Sequence, residues 1–355
     1  MEKIRVVLAD DSAFARDLLR SFLERDGDIE VVGEAANGEE AVRLASELRP
    51  DLITMDLEMP VMGGMDAITE IMATHAVPIL VVSGAANAKN AYAAVAHGAL
   101  DVISKPKIID AAAGAAFVAK VKMLAKIRVI THLRSRPSTT ATPEMPQAWP
   151  AGISSASGAM SPASAEPSRL FAIASSTGGP HALALILGSL PAGFPCAILV
   201  SQHIADGFAL GMADWLASVC KLPVCLAREG EVVMAGTVYI SPSEASLAVT
   251  PSRRITLVPR LSGDVYHPSC DMLLASVAKV YGRHGVGIIL TGMGRDGAAG
   301  IEEIRNAGGA TLAQDEASSV IFGMNKVAID RGAVQMVLAA GQIPQAMCRL
   351  ADLPV

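Results

Sequence analysis

The amino-terminal third of the chain alternates short apolar runs with longer stretches that carry apolar residues on one side. Such short runs are typical of strands buried on both faces, and the one-sided stretches predict helices. The predicted strands are Ile4–Ala9, Ile29–Val32, Leu52–Met55, Ile79–Val82 and Val102–Ile103. The predicted helices are Ser12–Arg25, Glu39–Leu48, Met65–Thr74, Ala88–His97 and a last one from about Ile108. Five such units in a row predict a doubly wound, flavodoxin-like α/β domain with a five-stranded parallel sheet over residues 1–130.

The alternation stops at residues 131–168, which contain six prolines among Ser, Thr, Ala and Gly. This composition is typical of a linker. The alternation then resumes, with strands predicted at Leu170–Ala174, Ala197–Val200, Val286–Leu290 and Ala310–Ala313, and a β-hairpin at residues 247–258. We therefore predict a second doubly wound α/β domain with a β-hairpin over residues 169–355.

The composition supports two folded domains and argues against a nucleic-acid-binding protein. The chain has 355 residues, of which 51% are hydrophobic, and this suffices for two cores. Lys and Arg number 29 against 35 Asp and Glu, so the basic excess of a nucleic-acid-binding protein is missing. The five cysteines are odd in number and form no C-x-x-C pair, which favours a reducing compartment. Without a signal peptide or a long apolar run, we expect a soluble cytoplasmic protein without direct membrane insertion.

Five polar side chains follow predicted strands of the first domain. Asp10 and Asp11 follow the first strand, Asp56 follows the third, Ser83 ends the fourth and Lys105 follows the fifth. The carboxyl ends of parallel strands share one sheet edge, so these side chains are expected in one pocket. Clustered carboxylates need a cation, and their oxygens suit Mg²⁺, which makes all three aspartates candidate metal ligands. The hydroxyl and the ammonium group could hold the oxygens of a phosphoryl group on Asp56.

Each of these residues alone has a simpler interpretation, as a helix cap, a solvated acid or a surface lysine. Their shared place at successive strand ends favours a site. The array resembles a response-regulator receiver domain over nearly all of residues 1–130. This resemblance implies that Asp56 is the phosphoacceptor and that Ser83 and Lys105 support the phosphoryl group.

The second domain contains three candidate catalytic residues, each after a predicted strand. Ser176 stands at a sharp turn of small residues before Pro180, which suits the first position of a helix. His203 and Asp296 follow two other strands. Taken singly, the serine reads as a helix cap and the histidine as a structural residue, but together they form a candidate Ser-His-Asp relay. The chain order and the lack of G-x-S-x-G argue against an α/β-hydrolase.

A rival interpretation comes from the segment Gly292–Gly297, which matches G-x-G-x-x-G between a predicted strand and a helix. Asp315 follows the next strand, near the distance expected for an acid that binds a ribose. By spacing alone, a dinucleotide-binding unit is a serious alternative to the relay.

Six segments of the second domain, in order along the chain, resemble the catalytic domain of the chemotaxis protein-glutamate methylesterases. They are Ser176–Gly179, Gln202–His203, Pro268–Asp271, Thr291–Gly300, Thr311–Ser319 and Phe322–Met324. The dinucleotide-binding rival accounts for one of the six, so the resemblance favours the esterase. It implies Ser176 as nucleophile, His203 as base, Asp296 as orienting acid and the backbone amide of Met293 as an oxyanion donor.

The resemblance also implies what the enzyme acts on and what controls it. The expected reaction is hydrolysis of glutamate γ-methyl esters on methyl-accepting chemoreceptors, with methanol released, and deamidation of receptor glutamines is an expected second activity. The chemotaxis histidine kinase is the expected phosphodonor. Mg²⁺ is expected for phosphorylation of the receiver, and no cofactor is expected for the esterase. The receiver is expected to cover the catalytic cleft until Asp56 is phosphorylated.

Two other classes of protein fit the sequence less well. A transcription factor with a receiver is disfavoured because the chain has no basic helix-turn-helix segment. A receptor-binding adaptor without catalysis is disfavoured because all three residues of the relay are present.

Overall fold

The computed structural model describes residues 3–84, 88–106, 111–127, 129, 169–261 and 266–353. The chain divides into two compact units, Met1–Thr140 and Ala141–Val355. The predicted linker, residues 131–168, and the predicted start of a helix at Ile108 lie outside the described residues, so the linker stays a prediction.

The first unit is a five-stranded parallel sheet in the order β2-β1-β3-β4-β5, with helices between the strands. The strands are β1 Ile4–Ala9, β2 Ile29–Ala35, β3 Leu52–Met55, β4 Ile79–Ser83 and β5 Asp101–Ser104. The helices are α1 Ala13–Glu24, α2 Gly38–Leu48, α3 Gly64–Thr74, α4 Ala88–Ala96 and α5 Ala111–Leu124. This confirms the doubly wound, flavodoxin-like architecture. Strand β2 exceeds its prediction because its last residues include Gly33 and Glu34, which break the apolar run.

Polar side chains cap the starts of two helices of this unit. The hydroxyl of Ser12 accepts the amide of Ala15 at the start of α1. At α2, the side chain of Asn37 accepts the amide of Glu40, and Glu40 accepts the amide of Ala36 in return. This pair of bonds satisfies the Glu40 amide, which the helix leaves unpaired, and the Ala36 amide in the loop before it. Strands β1, β3 and β4 are almost completely buried, as their continuous apolar runs predict.

The second unit contains a seven-stranded parallel sheet and a separate β-hairpin. The sheet strands are β6 Leu170–Ser175, β7 Ala197–Gln202, β8 Val224–Leu226, β9 Val238–Ile240, β12 Gly285–Ile289, β13 Ala310–Gln314 and β14 Met336–Leu338. The antiparallel hairpin pairs β10 Ala245–Val249 with β11 Ile255–Pro259. The helices are α6 Gly179–Ser189, α7 Ala209–Val219, α8 Cys270–Tyr281, α9 Ala298–Asn306, α10 Met324–Asp330 and α11 Ile343–Leu350. The hairpin and the predicted parallel arrangement are confirmed.

The strand order of this sheet is β14-β13-β12-β6-β7-β9-β8, so the chain builds outward from β6 in both directions. The order reverses where β6 lies beside β12, and ligands of such sheets bind at the carboxyl ends of strands at this switch point. The segments that follow β6, β7 and β12 therefore meet at one edge of the sheet. No helix of the described residues has both the length and the apolar character needed to span a bilayer.

Candidate functional sites

The carboxyl edge of the first sheet carries the predicted acidic pocket. The ammonium group of Lys105 lies 2.8 Å from Oδ2 of Asp10 and 2.6 Å from Oδ2 of Asp56. Asp11 joins them, since one carboxylate oxygen from each of the three aspartates lies within 4.8 Å of the others. The structure thus brings four of the five predicted residues together.

The charges of this pocket are only partly balanced. Burial raises the pKa of Asp56 above its usual value, and the neighbouring carboxylate of Asp10 raises it further, although Lys105 opposes both effects. Burial pulls the pKa of Lys105 down, but its hydrogen bonds to the two aspartates outweigh this and raise it overall. Three carboxylates around one ammonium group leave excess negative charge, which a divalent cation with oxygen ligands would neutralise. The residues present therefore fit Mg²⁺.

Ser83 ends β4 next to this pocket and is completely buried. Its Oγ atom has no hydrogen-bond partner among the described residues. A buried hydroxyl without a partner is costly, so a ligand that hydrogen-bonds to it is expected. This fits the predicted contact with a phosphoryl oxygen.

The turn after β6 holds Ser176 at the switch point of the second sheet. Its backbone amide donates to the carbonyl of Thr291 beyond β12, at 3.0 Å. Gly178 has a φ of 78°, which a residue with a side chain rarely adopts, and this lets α6 begin one residue later. Pro180 is the second residue of α6, one position later than predicted. Ser176 therefore stands between the end of a strand and the start of a helix.

Gln202 clamps this turn, a role that the sequence did not reveal. Its side-chain amide donates to the carbonyl of Ser176 at 2.8 Å and to that of His203 at 2.9 Å. Its oxygen accepts the hydroxyl of Ser175 at 2.6 Å. The neighbouring serine is thus occupied in a buried structural contact, whereas Ser176 is not.

His203 and Asp296 meet as predicted. Nε2 of the imidazole lies 2.7 Å from Oδ2 of the carboxylate. The histidine side chain is 14% exposed and the aspartate side chain 3%. Because Nε2 faces the acid, Nδ1 is the nitrogen left for a second partner.

Asp296 is held in place by the amino end of α8. Its oxygens accept the backbone amides of Cys270 and Asp271, at 2.7 and 2.9 Å, and that of Gly297 at 3.1 Å. Burial raises the pKa of this carboxyl, but its hydrogen bonds to His203 and these amides outweigh burial and lower the pKa overall. The acid therefore stays ionised and keeps the imidazole in one orientation.

The hydroxyl of Ser176 makes no hydrogen bond to any residue within the described part of the chain, His203 included. The Gly292 backbone, however, packs directly against the serine, because a Cβ atom on this glycine would lie 2.6 Å from Cβ of Ser176. Met293 follows it, with a side chain that is largely exposed. The backbone of the predicted oxyanion donor thus directly follows the residue that packs on Ser176.

The glycine-rich segment does lie between β12 and α9, as the dinucleotide-binding rival requires. Its glycines nevertheless make close contacts with other residues of the protein. Gly292 packs on Ser176, and Gly294 packs on the ring of Tyr266. The segment also supplies Asp296 to His203. The backbone that would bind a pyrophosphate in the rival interpretation therefore packs on Ser176 and Tyr266 instead.

Cys270 lies under the relay, with its sulfur 3.6 Å from Nε2 of His203. With Asp296, these side chains offer three atoms of the kinds that bind metals. Burial raises the pKa of the thiol well above its usual value, so it is protonated at neutral pH. A carboxylate already occupied by three backbone amides and a protonated thiol are poor metal ligands. We interpret the cluster as a hydrogen-bonded relay.

Comparisons with known proteins agree with a receiver domain followed by a methylesterase domain. The CheB methylesterase family matches residues 171–347, and the response regulator receiver domain matches residues 6–113. A protein-glutamate methylesterase/protein-glutamine glutaminase of Paramagnetospirillum magneticum is 52% identical over 99% of this chain and 98% of its own length. One of Pyrococcus abyssi with the same description is 37% identical over 99% of this chain and 94% of its own length.

A solved structure resembles the second unit. The crystal structure of the Thermotoga maritima CheB methylesterase catalytic domain matches with a TM-score of 0.50 and 36% sequence identity. The match covers 51% of this chain and 98% of that domain.

Proposed function

The chain belongs to the CheB methylesterase family and also carries a receiver domain, and from this we propose that it hydrolyses glutamate γ-methyl esters on chemoreceptors when its receiver is phosphorylated. The observation that carries the proposal is the 2.7 Å contact between His203 and Asp296 beside the turn of Ser176. A buried acid that orients a histidine beside a serine is the arrangement that acyl transfer requires.

In the proposed reaction, Nδ1 of His203 takes the proton of the Ser176 hydroxyl as the oxygen attacks the γ-carbonyl carbon. Asp296 stabilises the imidazolium that forms, and its hydrogen bond to Nε2 is already in place. The tetrahedral intermediate collapses when the imidazolium returns its proton to the methoxy group, and methanol leaves. The product of this step is an ester between the glutamyl group and Ser176.

Water completes the reaction. His203 removes a proton from the water, which attacks the acyl-enzyme and releases a free glutamate side chain and the Ser176 hydroxyl. The same steps on a glutamine side chain release ammonia instead of methanol, which is deamidation. The names of the relatives, protein-glutamate methylesterase and protein-glutamine glutaminase, support both activities as proposals for this chain.

The negative oxygen of each intermediate needs hydrogen-bond donors. The amide of Met293 is the proposed donor, because Gly292 packs its backbone against Ser176. The start of α6 near Ser176 adds a favourable field for this charge. Hydrogen-bond donors that are already in position usually contribute a large part of the rate enhancement, since they need not rearrange when charge develops.

The first unit supplies the proposed control. Asp56 accepts the phosphoryl group, and the histidine kinase of the same pathway is the proposed donor. Asp10, Asp11 and Asp56 would hold Mg²⁺, which offsets negative charge during phosphoryl transfer when bound. Lys105 and Ser83 would then bind the phosphoryl oxygens. Phosphorylation shifts the protein between a less active and a more active state.

We place the enzyme in the cytoplasm, where a chemotaxis kinase and the methylated segments of receptors would meet it. All five cysteines are free, which fits a reducing compartment.

Incubation of the protein with membranes that contain methylated chemoreceptors tests the proposal. Methanol should appear, and mass spectrometry of receptor peptides should show glutamate in place of its methyl ester. Absence of both products from phosphorylated protein would refute the proposed activity. Glutamine-containing receptors in the same assay test deamidation separately.

A further inference from the structure

Tyr266 covers one face of the His203 ring. The two ring centroids are 5.2 Å apart and the planes differ by 11°, so the rings are stacked. Offset parallel stacking at this distance is a favourable geometry for aromatic side chains. The edge of the imidazole is held by Asp296 and its face by Tyr266, so two perpendicular constraints act on the ring.

The same tyrosine packs against the loop that carries Met293 and Asp296. A Cβ atom on Gly294 would lie 2.8 Å from the hydroxyl oxygen of Tyr266 and 3.1 Å from its Cε1 atom. Gly294 has a φ of 98°, which a residue with a side chain rarely adopts. The loop thus passes close to the aromatic ring, between the proposed oxyanion donor and the orienting acid.

The segment that follows Tyr266 is itself anchored near the relay. The carbonyl of the next residue, His267, accepts the amide of Ile204 at 3.2 Å, and Ile204 directly follows His203. The amide of Ser269 donates to the hydroxyl of Ser246 in the hairpin at 2.9 Å. The residues that follow Tyr266 are therefore fixed by one hydrogen bond to the residue after His203 and one to the hairpin.

We propose that Tyr266 is a positioning residue that fixes the plane of the His203 ring and ties it to the loop of Met293 and Asp296. This inference rests on the proposed relay of Ser176, His203 and Asp296. During catalysis the imidazole becomes a cation. An aromatic face attracts the imidazolium cation more strongly than it attracts the neutral imidazole. The stack therefore contributes more in the transition state than in the resting enzyme, and such a contribution raises kcat rather than lowering KM.

The test compares Tyr266→Phe with Tyr266→Leu in the full-length protein. Phenylalanine keeps the stacked ring and removes the hydroxyl, whereas leucine keeps apolar bulk and removes the aromatic face. We expect Tyr266→Leu to lower kcat about tenfold, with KM changed by less than about twofold. We expect Tyr266→Phe to stay within about twofold of the wild type in kcat. Equal activity of the leucine variant and the wild type would overturn the proposal.

A spectroscopic measurement supplies the second readout. The ring protons of His203 should be shifted upfield by the adjacent aromatic ring in the wild type and in Tyr266→Phe, and this shift should vanish in Tyr266→Leu. Thermal unfolding shows whether the leucine variant folds. If it does not fold, Tyr266→Trp replaces it, and we predict that this variant retains both the stack and kcat. A tryptophan variant that folds but lacks both would also overturn the proposal.

A reactive phosphonate that labels Ser176 separates this inference from the proposed function, because labelling needs no receptor. Slower labelling of Tyr266→Leu than of Tyr266→Phe supports the positioning role even where receptors prove not to be the substrate. Equal labelling rates in the two variants would contradict the role, whatever happens with receptors.

Discussion

Nε2 of His203 lies 2.7 Å from Oδ2 of Asp296, and this carboxylate also accepts two backbone amides at the start of α8. The acid is therefore fixed by a helix end and cannot turn away from the histidine without losing those bonds. The contact assigns Nε2 of the ring to the acid, and we propose that Nδ1 serves Ser176.

Replacement of the acid tests this assignment. In Asp296→Asn, the amide group should disfavour the imidazole tautomer that leaves Nδ1 free to accept a proton, so kcat should fall about 10⁴-fold. The variant also places an NH₂ group near backbone amides, so Tm should fall. Steady-state kinetics and calorimetry check both effects. Activity within tenfold of the wild type would contradict the role of Asp296.

Two neighbouring serines give a matched pair for the nucleophile. Ser176→Ala should abolish phosphonate labelling and turnover, because it removes the attacking oxygen. Ser175→Ala should still be labelled, because the Ser175 hydroxyl is engaged with Gln202. Loss of that hydrogen bond should lower stability by about 1 kcal/mol. Labelling of the Ser176 variant but not of the Ser175 variant would reverse the assignment.

The tight packing of Gly292 provides a test of the oxyanion donor. A methyl group there would meet the side chains of Met324 and Ser176 and push the loop of Met293 away, so Gly292→Ala should lower kcat by about 10²-fold or more. Gly341→Ala is the control, because a Cβ atom at Gly341 meets nothing within 4 Å. A loss of similar size in both variants would mean that the effect is not local to the site.

The raised pKa of Asp56 predicts how pH and Mg²⁺ act on stability. A raised pKa means that the folded protein holds this proton more tightly than the unfolded chain. The contribution of Asp56 to stability therefore falls as pH rises from the ordinary value of 3.8 through the raised one. At neutral pH, Asp56→Asn should raise the Tm of the first unit, because it removes a carboxylate whose ionisation the fold disfavours.

Mg²⁺ should stabilise the wild type by neutralising the same charge. At about one hundred times its Kd, a ligand adds about 2.7 kcal/mol, and the gain should be much smaller in Asp56→Asn. Calorimetric scans with and without Mg²⁺ measure both effects. Equal stabilisation of the two proteins would show that the cation binds elsewhere.

The sequence predicted most strands of the two sheets, because these strands are buried on both faces. Each of them therefore forms a continuous apolar run in the sequence. Strands β8, β9 and β14 were missed, since three residues each are too few to form a pattern. The hairpin at residues 247–258 is confirmed, with strands that extend slightly beyond it.

The candidate sites were predictable where side chains follow strands, because parallel strands bring their carboxyl ends to one edge. This placed His203 near Asp296 and Asp56 near Lys105, as the structure shows. The stack of Tyr266 and the clamp of Gln202 depend on side-chain packing between segments far apart in the chain, which no local pattern encodes. The catalytic roles themselves stay predictions until the variants are measured.

Methanol release from methylated receptor membranes, with and without a small phosphodonor and Mg²⁺, tests the central claim most directly. We predict that the phosphodonor increases release by the wild type, that Asp56→Asn releases methanol at the low rate in both conditions, and that Ser176→Ala releases none. Equal release by the wild type with and without the phosphodonor, or release by Ser176→Ala, would contradict the account.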